Sequence, residues 1–128
     1  MLGAMAASAV LAGCGTRGAP GQTTTSQDPN DRTITWANWT LYLDYDRKSR
    51  SFPTLEAFEE ETGYTVEYRE DIDDNVSFNG KVGPQLARGL DIGYDLVTPS
   101  DSLIAQWIAK GWAAPLDKAN IPNAKNLL

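Results

Sequence analysis

A chain of 128 residues carrying one cysteine, no histidine and a net charge of −6 is long enough for one modest domain. Its 41% hydrophobic content excludes a disordered chain, and an acidic balance without a basic patch excludes nucleic acid as an expected partner. With no histidine, a zinc site or a Ser-His-Asp triad would need an unusual substitute, and one cysteine forms no intramolecular disulfide, so neither metal nor cofactor is expected.

Met1 to Val10 is an apolar run of small residues that leads into Leu11-Ala12-Gly13-Cys14. It is too short to cross a bilayer, which takes about 20 apolar residues. The four positions resemble the bacterial lipoprotein signal, in which small residues suit the peptidase and the thiol takes the lipid. Such a signal normally opens with Lys or Arg, whereas the first basic residue here, Arg17, follows the cysteine. From Gly15 to Asp31 the composition shifts to Gly, Thr, Ser, Pro and Gln, which is tether composition with a reach of about 20–25 Å. Residues 1–13 are therefore expected to be a signal, 14–31 a lipid-anchored tether with Cys14 as attachment point, and 32–128 the folded part.

Within that part, Thr33 to Trp39 mixes β-branched and aromatic residues and reads as a strand. Leu41 to Ser51 reads as a loop. Pro53 suits the first turn of a helix, whose apolar-leaning face carries Leu55, Phe58 and Thr62, and Gly63 ends it. Tyr64 to Arg69 alternates as a second strand. Asp73 to Gly89 reads as a weaker helix; Pro84 is expected to break or kink it, which leaves Pro84 to Arg88 as the better helical portion. Tyr94 to Thr98 is a third strand. Ser100 or Asp101 caps a helix that runs through Lys110 and buries Leu103, Ile104, Trp107 and Ile108, and Gly111 stops it. Trp112 to Leu116 is expected to add a short edge strand. Phe58, Val66, Leu96, Val97, Leu103 and Ile104 are expected to share one core.

Alternating strands and helices imply an α/β fold with a mostly parallel sheet and right-handed crossovers. In such sheets ligands collect beyond the carboxyl ends of the strands, here Asn38 to Tyr42, Glu70 to Asn75 and Pro99 to Ser102. Enzyme signals are weak. Asp44 and Asp46 form only a loop pair, and Gly80, Gly83, Gly89 and Gly93 lack phosphate-loop spacing.

Trp36-Ala37-Asn38-Trp39-Thr40-Leu41-Tyr42, Phe58-Glu59-Glu60-Glu61-Thr62-Gly63, Gly93-Tyr94-Asp95-Leu96-Val97-Thr98-Pro99-Ser100, Lys110-Gly111-Trp112 and Pro115-Leu116-Asp117-Lys118 stand in an order and spacing that is specific together. They resemble the spermidine/putrescine-binding proteins of ABC importers, from about Ile34 to Leu128. The resemblance implies a periplasmic-binding-protein-like fold of two lobes with the ligand between them, of which this chain would be the N-terminal part of the first. It implies no enzymatic activity, and a polyamine-like cation captured outside the cytoplasmic membrane. ABC permease and ATPase subunits would be its partners. A membrane-tethered sensor or interaction module built on the same lobe, or a binder of another small solute, remains open.

By the same resemblance Trp39 and Tyr42 match positions whose rings pack around the polyamine, and Ser100 matches a pocket-lining position. A π face attracts an ammonium by about 0.5–2 kcal/mol. Asp101 adds a carboxylate at the Ser100 junction, able to accept from an ammonium or to serve the helix dipole. Glu70, Asp71, Asp73 and Asp74 could draw in a cation at longer range, although such runs are usually solvated loops. Two positions depart from the family: Ser102 stands where an aromatic is frequent, and Leu41 where some members carry a carboxylate.

Overall fold

The computed structural model describes residues 30–126. Cys14, the expected signal and the tether up to position 29 lie outside the described residues.

β1 (Thr33–Trp39) is the central strand of a three-stranded parallel sheet of order β2-β1-β3, with β2 at Thr65–Ile72 and β3 at Leu96–Val97. The helices are α1 (Pro53–Thr62), α2 (Asn75–Leu86) and α3 (Asp101–Ala109), and two short 3₁₀ turns follow at Lys118–Asn120 and Pro122–Asn126. The architecture is thus the expected α/β parallel sheet flanked by helices. With this strand order, right-handed crossovers put α1 on one face of the sheet and α2 on the other.

Side chains alternate across β1, so Ala37 and Trp39 share one face and Trp36 and Asn38 the other. On the Ala37 face lies the core. Ala37, Ile72, Phe78, Val82, Leu103 and Trp107 are all buried, with Val97 and Ile104 packed against them. Phe78 of α2 stacks on Trp107 of α3 at 6.3 Å, and the Trp107 indole donates to Asn79 Oδ1 at 2.9 Å. That bond explains a glycine. A Cβ at Gly83 would sit 3.2 Å from Asn79 Oδ1, the atom that holds the indole.

The opposite face is held differently. Trp36 meets Tyr68 edge-on at 5.2 Å, Tyr68 meets Phe52 at 4.8 Å, and Phe52 meets Tyr45 at 5.3 Å. Phe52 precedes α1, which fully buries no residue of its own. Gly63, at φ 70°, ends α1 as expected and donates to Glu59 O.

The core therefore differs from the one expected. Of that set only Leu103 is fully buried, while Phe58 is 39% and Leu96 44% exposed. Ile72 enters the core instead through an irregularity in pairing. Ala37 pairs with Arg69, but Trp39 pairs with Ile72, so β2 holds one extra residue against β1. The extra residue turns Ile72 onto the Ala37 face, where it is completely buried. β2 thus runs beyond Arg69, where a strict alternation ends it.

Four further expectations are corrected. Pro84 does not break α2 into a C-terminal helical piece: the helix runs from Asn75 to Leu86 with Pro84 inside it, forgoing its own N–H bond to the Gly80 carbonyl, and Ala87 N still donates to Gly83 O at 2.9 Å. β3 is only two residues long, because the Asp95 side chain takes the place of strand backbone: its Oδ2 accepts from Thr35 N at 2.8 Å while its own N donates to Thr35 O at 2.9 Å. Trp112 to Leu116 forms no strand; Leu116 is exposed, and Trp112 N instead donates to Trp107 O at 2.8 Å. Ile108, expected inside, is 63% exposed because α3 buries only the stripe of Leu103 and Trp107.

In the full-length protein, Ile72→Ala should lower the unfolding free energy by about 2–5 kcal/mol, whereas Phe58→Ala should cost less than about 1 kcal/mol. Urea unfolding of the two variants checks this. Equal losses would restore the alternation-based core.

Candidate functional site

The carboxyl ends of the three strands bring three segments to one rim. β1 is central, so the segment after it is flanked by those after β2 and β3. Side-chain bonds tie them in sequence. Leu41 N donates to Glu70 Oε1 at 2.7 Å, and Thr40 Oγ1 lies 3.5 Å from its acceptor Asp73 Oδ1. Asn75, the first residue of α2, then grips Ser100: its Nδ2 donates to Ser100 Oγ at 2.5 Å, and its Oδ1 accepts from Ser100 N at 3.3 Å. The first and third segments are joined through the second.

The four sequence-predicted residues occupy this rim in different settings. Trp39 is half-buried, with its ring packed against the core. Tyr42 is 63% exposed. Ser100 stands at the N-cap position of α3, but its hydroxyl makes no cap bond, contrary to the expected role. Asn75 occupies it instead, and Ser102 Oγ lies 3.4 Å away. Only the Ser100 carbonyl serves the helix, accepting from Leu103 N and Ile104 N. Asp101 is exposed in the first turn of α3, where its charge complements the partial positive charge of the helix end.

The acidic run at the carboxyl end of β2 is not merely solvated. Asp74 caps α2, accepting from Ser77 N at 2.8 Å, and bonds from Ser77 hold its carboxyl below the ordinary carboxylate range. Asp71 Oδ2 accepts from the Tyr94 hydroxyl at 2.5 Å, and that hydroxyl in turn accepts from Lys81 Nζ at 3.0 Å. The bond to Tyr94 raises the Lys81 pKa above its ordinary value. Glu70 and Asp73 reach back to the segment after β1.

Beneath the rim lies a pair that the sequence does not reveal. Asn38 is completely buried, and its Oδ1 accepts from Trp39 N at 2.8 Å. Its Nδ2 and the buried Tyr68 hydroxyl lack hydrogen-bond partners. The two groups are close enough for the amide to pull the phenol pKa down, yet no bond of acceptable geometry closes between them. Burial, then the negative charge of Glu70, outweigh that pull and raise the Tyr68 pKa. Among the described residues no group of three or more His, Cys, Asp or Glu is arranged to hold a metal, and no helix is long and apolar enough to cross a membrane.

Comparison with known proteins places this chain in a family. The chain is 36% identical over 102 residues to the putrescine-binding periplasmic protein SpuD of Pseudomonas aeruginosa (strain UCBPP-PA14), covering 80% of this chain and 24% of that protein. It is 36% identical over 96 residues to the putrescine-binding periplasmic protein PotF of Escherichia coli (strain K12), covering 75% of this chain and 22% of that protein. The chain belongs to the polyamine-binding family of periplasmic proteins. It spans about a quarter of the length of these relatives. No family model and no solved structure matches it.

The sequence places Asn38, Glu70 and Asn75 in the strand-end segments, Glu70 as part of an acidic run, but gives none of them the bonding role the fold shows. Asn75 adjoins Asp74, so the pair reads as one polar run, and only the fold shows that Asn75 faces Ser100. No local signal could have found the Glu70 bond, whose partner is 29 positions away.

Because the Tyr68 hydroxyl is buried without a partner, Tyr68→Phe should be neutral or stabilising by up to about 1 kcal/mol. The raised pKa adds a pH signature. The neutral phenol's contribution is intact below its ordinary value of 10.0 and is lost as pH rises through the higher folded value. Denaturant midpoints measured up to alkaline pH should therefore fall less steeply in Tyr68→Phe than in the parent.

Proposed function

We propose that this chain is part of an exported substrate-binding lipoprotein that captures a polyamine-like cation, putrescine or spermidine, for an ABC importer. The observation that carries the reading is the 36% identity to two relatives named for putrescine binding, over three quarters or more of the chain. The rim supports it with compatible chemistry. Trp39 and Tyr42 offer π faces, Ser100 a hydroxyl and Asp101 a carboxylate, a set suited to an elongated polar cation.

On this reading the protein binds and releases its solute unchanged and is not an enzyme. Residues 32–128 belong to the first of two lobes, and the remaining carboxylates for the ammonium groups come from the second. Permease and ATPase subunits receive the solute. The protein faces the periplasm or the cell exterior, held to the membrane by a lipid on Cys14 through the tether that ends at residue 31.

Calorimetry of the full-length protein against putrescine, spermidine, a sugar and an anion tests the ligand. Polyamine heat alone is expected, and Trp39→Ala should weaken binding by about 1–3 kcal/mol, the cost of losing a buried aromatic anchor. A protein that binds the sugar or the anion and ignores polyamines overturns the reading. The anchor has its own test. Cys14→Ser should abolish acylation by mass spectrometry and move the protein out of the membrane fraction; unchanged membrane retention would refute it.

A further inference from the structure

We propose that Glu70 is the positioning residue of the aromatic arm, residues 39–42, and that it sets the arm in its binding geometry before any ligand arrives. The inference rests on the reading of that arm as part of the binding site. Its basis is the conformation of Leu41. This residue adopts φ 62°, a left-handed backbone that side-chain-bearing residues rarely take, so its surroundings must impose it. Packing does not impose it, because the Leu41 side chain is 82% exposed and the neighbouring Tyr42 63% exposed.

What remains is hydrogen bonding. The amide of the strained residue itself donates to Glu70 Oε1 at 2.7 Å, a charge-assisted bond to the end of the adjacent strand. One residue earlier, Thr40 reaches Asp73 at 3.5 Å, too long to hold a strained turn. Two residues earlier, Trp39 N is taken by Asn38 Oδ1, which fixes where the strand ends but not how the chain turns afterwards.

The extra residue in β2 brings Glu70 to this position. Arg69 and Ile72 lie on the same face although three residues apart, so Glu70 and Asp71 together oppose Asn38 and leave the regular pleat. Bulges of this kind re-aim side chains. Here the re-aimed carboxylate crosses to the arm. Without the clamp the left-handed turn is no longer held, and Tyr42 samples geometries in which it cannot meet a ligand together with Trp39, which stays fixed by β1 and the core. Apparent affinity then falls in proportion to the lost competent fraction.

The test compares Glu70→Ala with Glu70→Gln in the full-length protein, because Gln keeps an acceptor oxygen on the same skeleton and removes the charge. Two readouts are taken: hydrogen exchange of the Leu41 amide without ligand, and putrescine affinity. Glu70→Ala should speed Leu41 exchange by about tenfold or more, with β1 and α2 amides unchanged, and weaken putrescine binding by about 5–20-fold. Glu70→Gln should stay within about threefold of the parent in both. Unchanged Leu41 exchange in Glu70→Ala overturns the proposal. So does a Glu70→Gln variant that loses affinity as fully as Glu70→Ala, which would make the carboxylate a direct counter-charge for the ligand. If the parent protein ignores putrescine, the polyamine reading fails, while the Leu41 exchange still decides whether Glu70 is the clamp.

Discussion

One extra residue in β2, between Arg69 and Ile72, governs both the core and the rim of this protein. A strand in strict register would place Val66, Tyr68, Glu70 and Ile72 on one face. The insertion divides that set. Val66 and Tyr68 stay on the α1 side with Trp36, while Ile72 crosses to α2 and α3 and becomes completely buried. The same dislocation leaves Glu70 free to bond the segment after β1. Asn38 sits opposite the irregularity, buried with one amide hydrogen set unpaired, which is the cost of closing a polar side chain into a distorted stretch of sheet.

Sequence patterning was informative wherever structure is local. β1 is recovered residue for residue, as is α1 with its proline start and glycine stop, because capping and alternation are short-range signals. Pro84 misleads because its cost is local: it forgoes its own N–H bond and crowds the carbonyl four residues back, while the burial of Phe78 and Val82 holds the helix together across it. β3 is shorter than its apolar run suggests because Asp95 completes the pairing with a side chain, which no propensity encodes. Phe58 and Leu96 were expected inside because they are apolar at the right period. Period selects a face but not whether that face is covered, and here the α1 face is covered more thinly than the other.

The candidate site was legible in outline for a topological reason. A central first strand with neighbours on both sides must bring the three following segments together, whatever their side chains. Its internal wiring was not. Ser100 illustrates the gap: at a helix start a serine reads as a cap, but Asn75 of the neighbouring helix captures its hydroxyl and its amide. Two helix starts are thereby fastened to each other, and the serine's local role passes to its carbonyl.

On the proposed reading, that wiring bears on how an acidic rim could serve a cation. Helix N-termini present partial positive charge, and α2 and α3 both begin here, an arrangement that by itself favours anions. The carboxylates nearby are largely committed to countering it or to fixing backbone. Asp74 caps α2, Asp101 stands in the first turn of α3, and Glu70 holds Leu41. The net charge of −6 is therefore a poor measure of attraction at the rim, since much of its acid there balances peptide dipoles. On the proposed reading, what the rim offers a cation is chiefly aromatic. The exposed Tyr42, with whatever part of the half-buried, core-packed Trp39 ring reaches the rim, would supply π surface that needs no counter-charge and tolerates methylenes as well as ammonium groups. An arm whose contribution is shape and π surface gains most from being held still, and a strained turn clamped from the next strand provides that rigidity without placing another charge among its own residues.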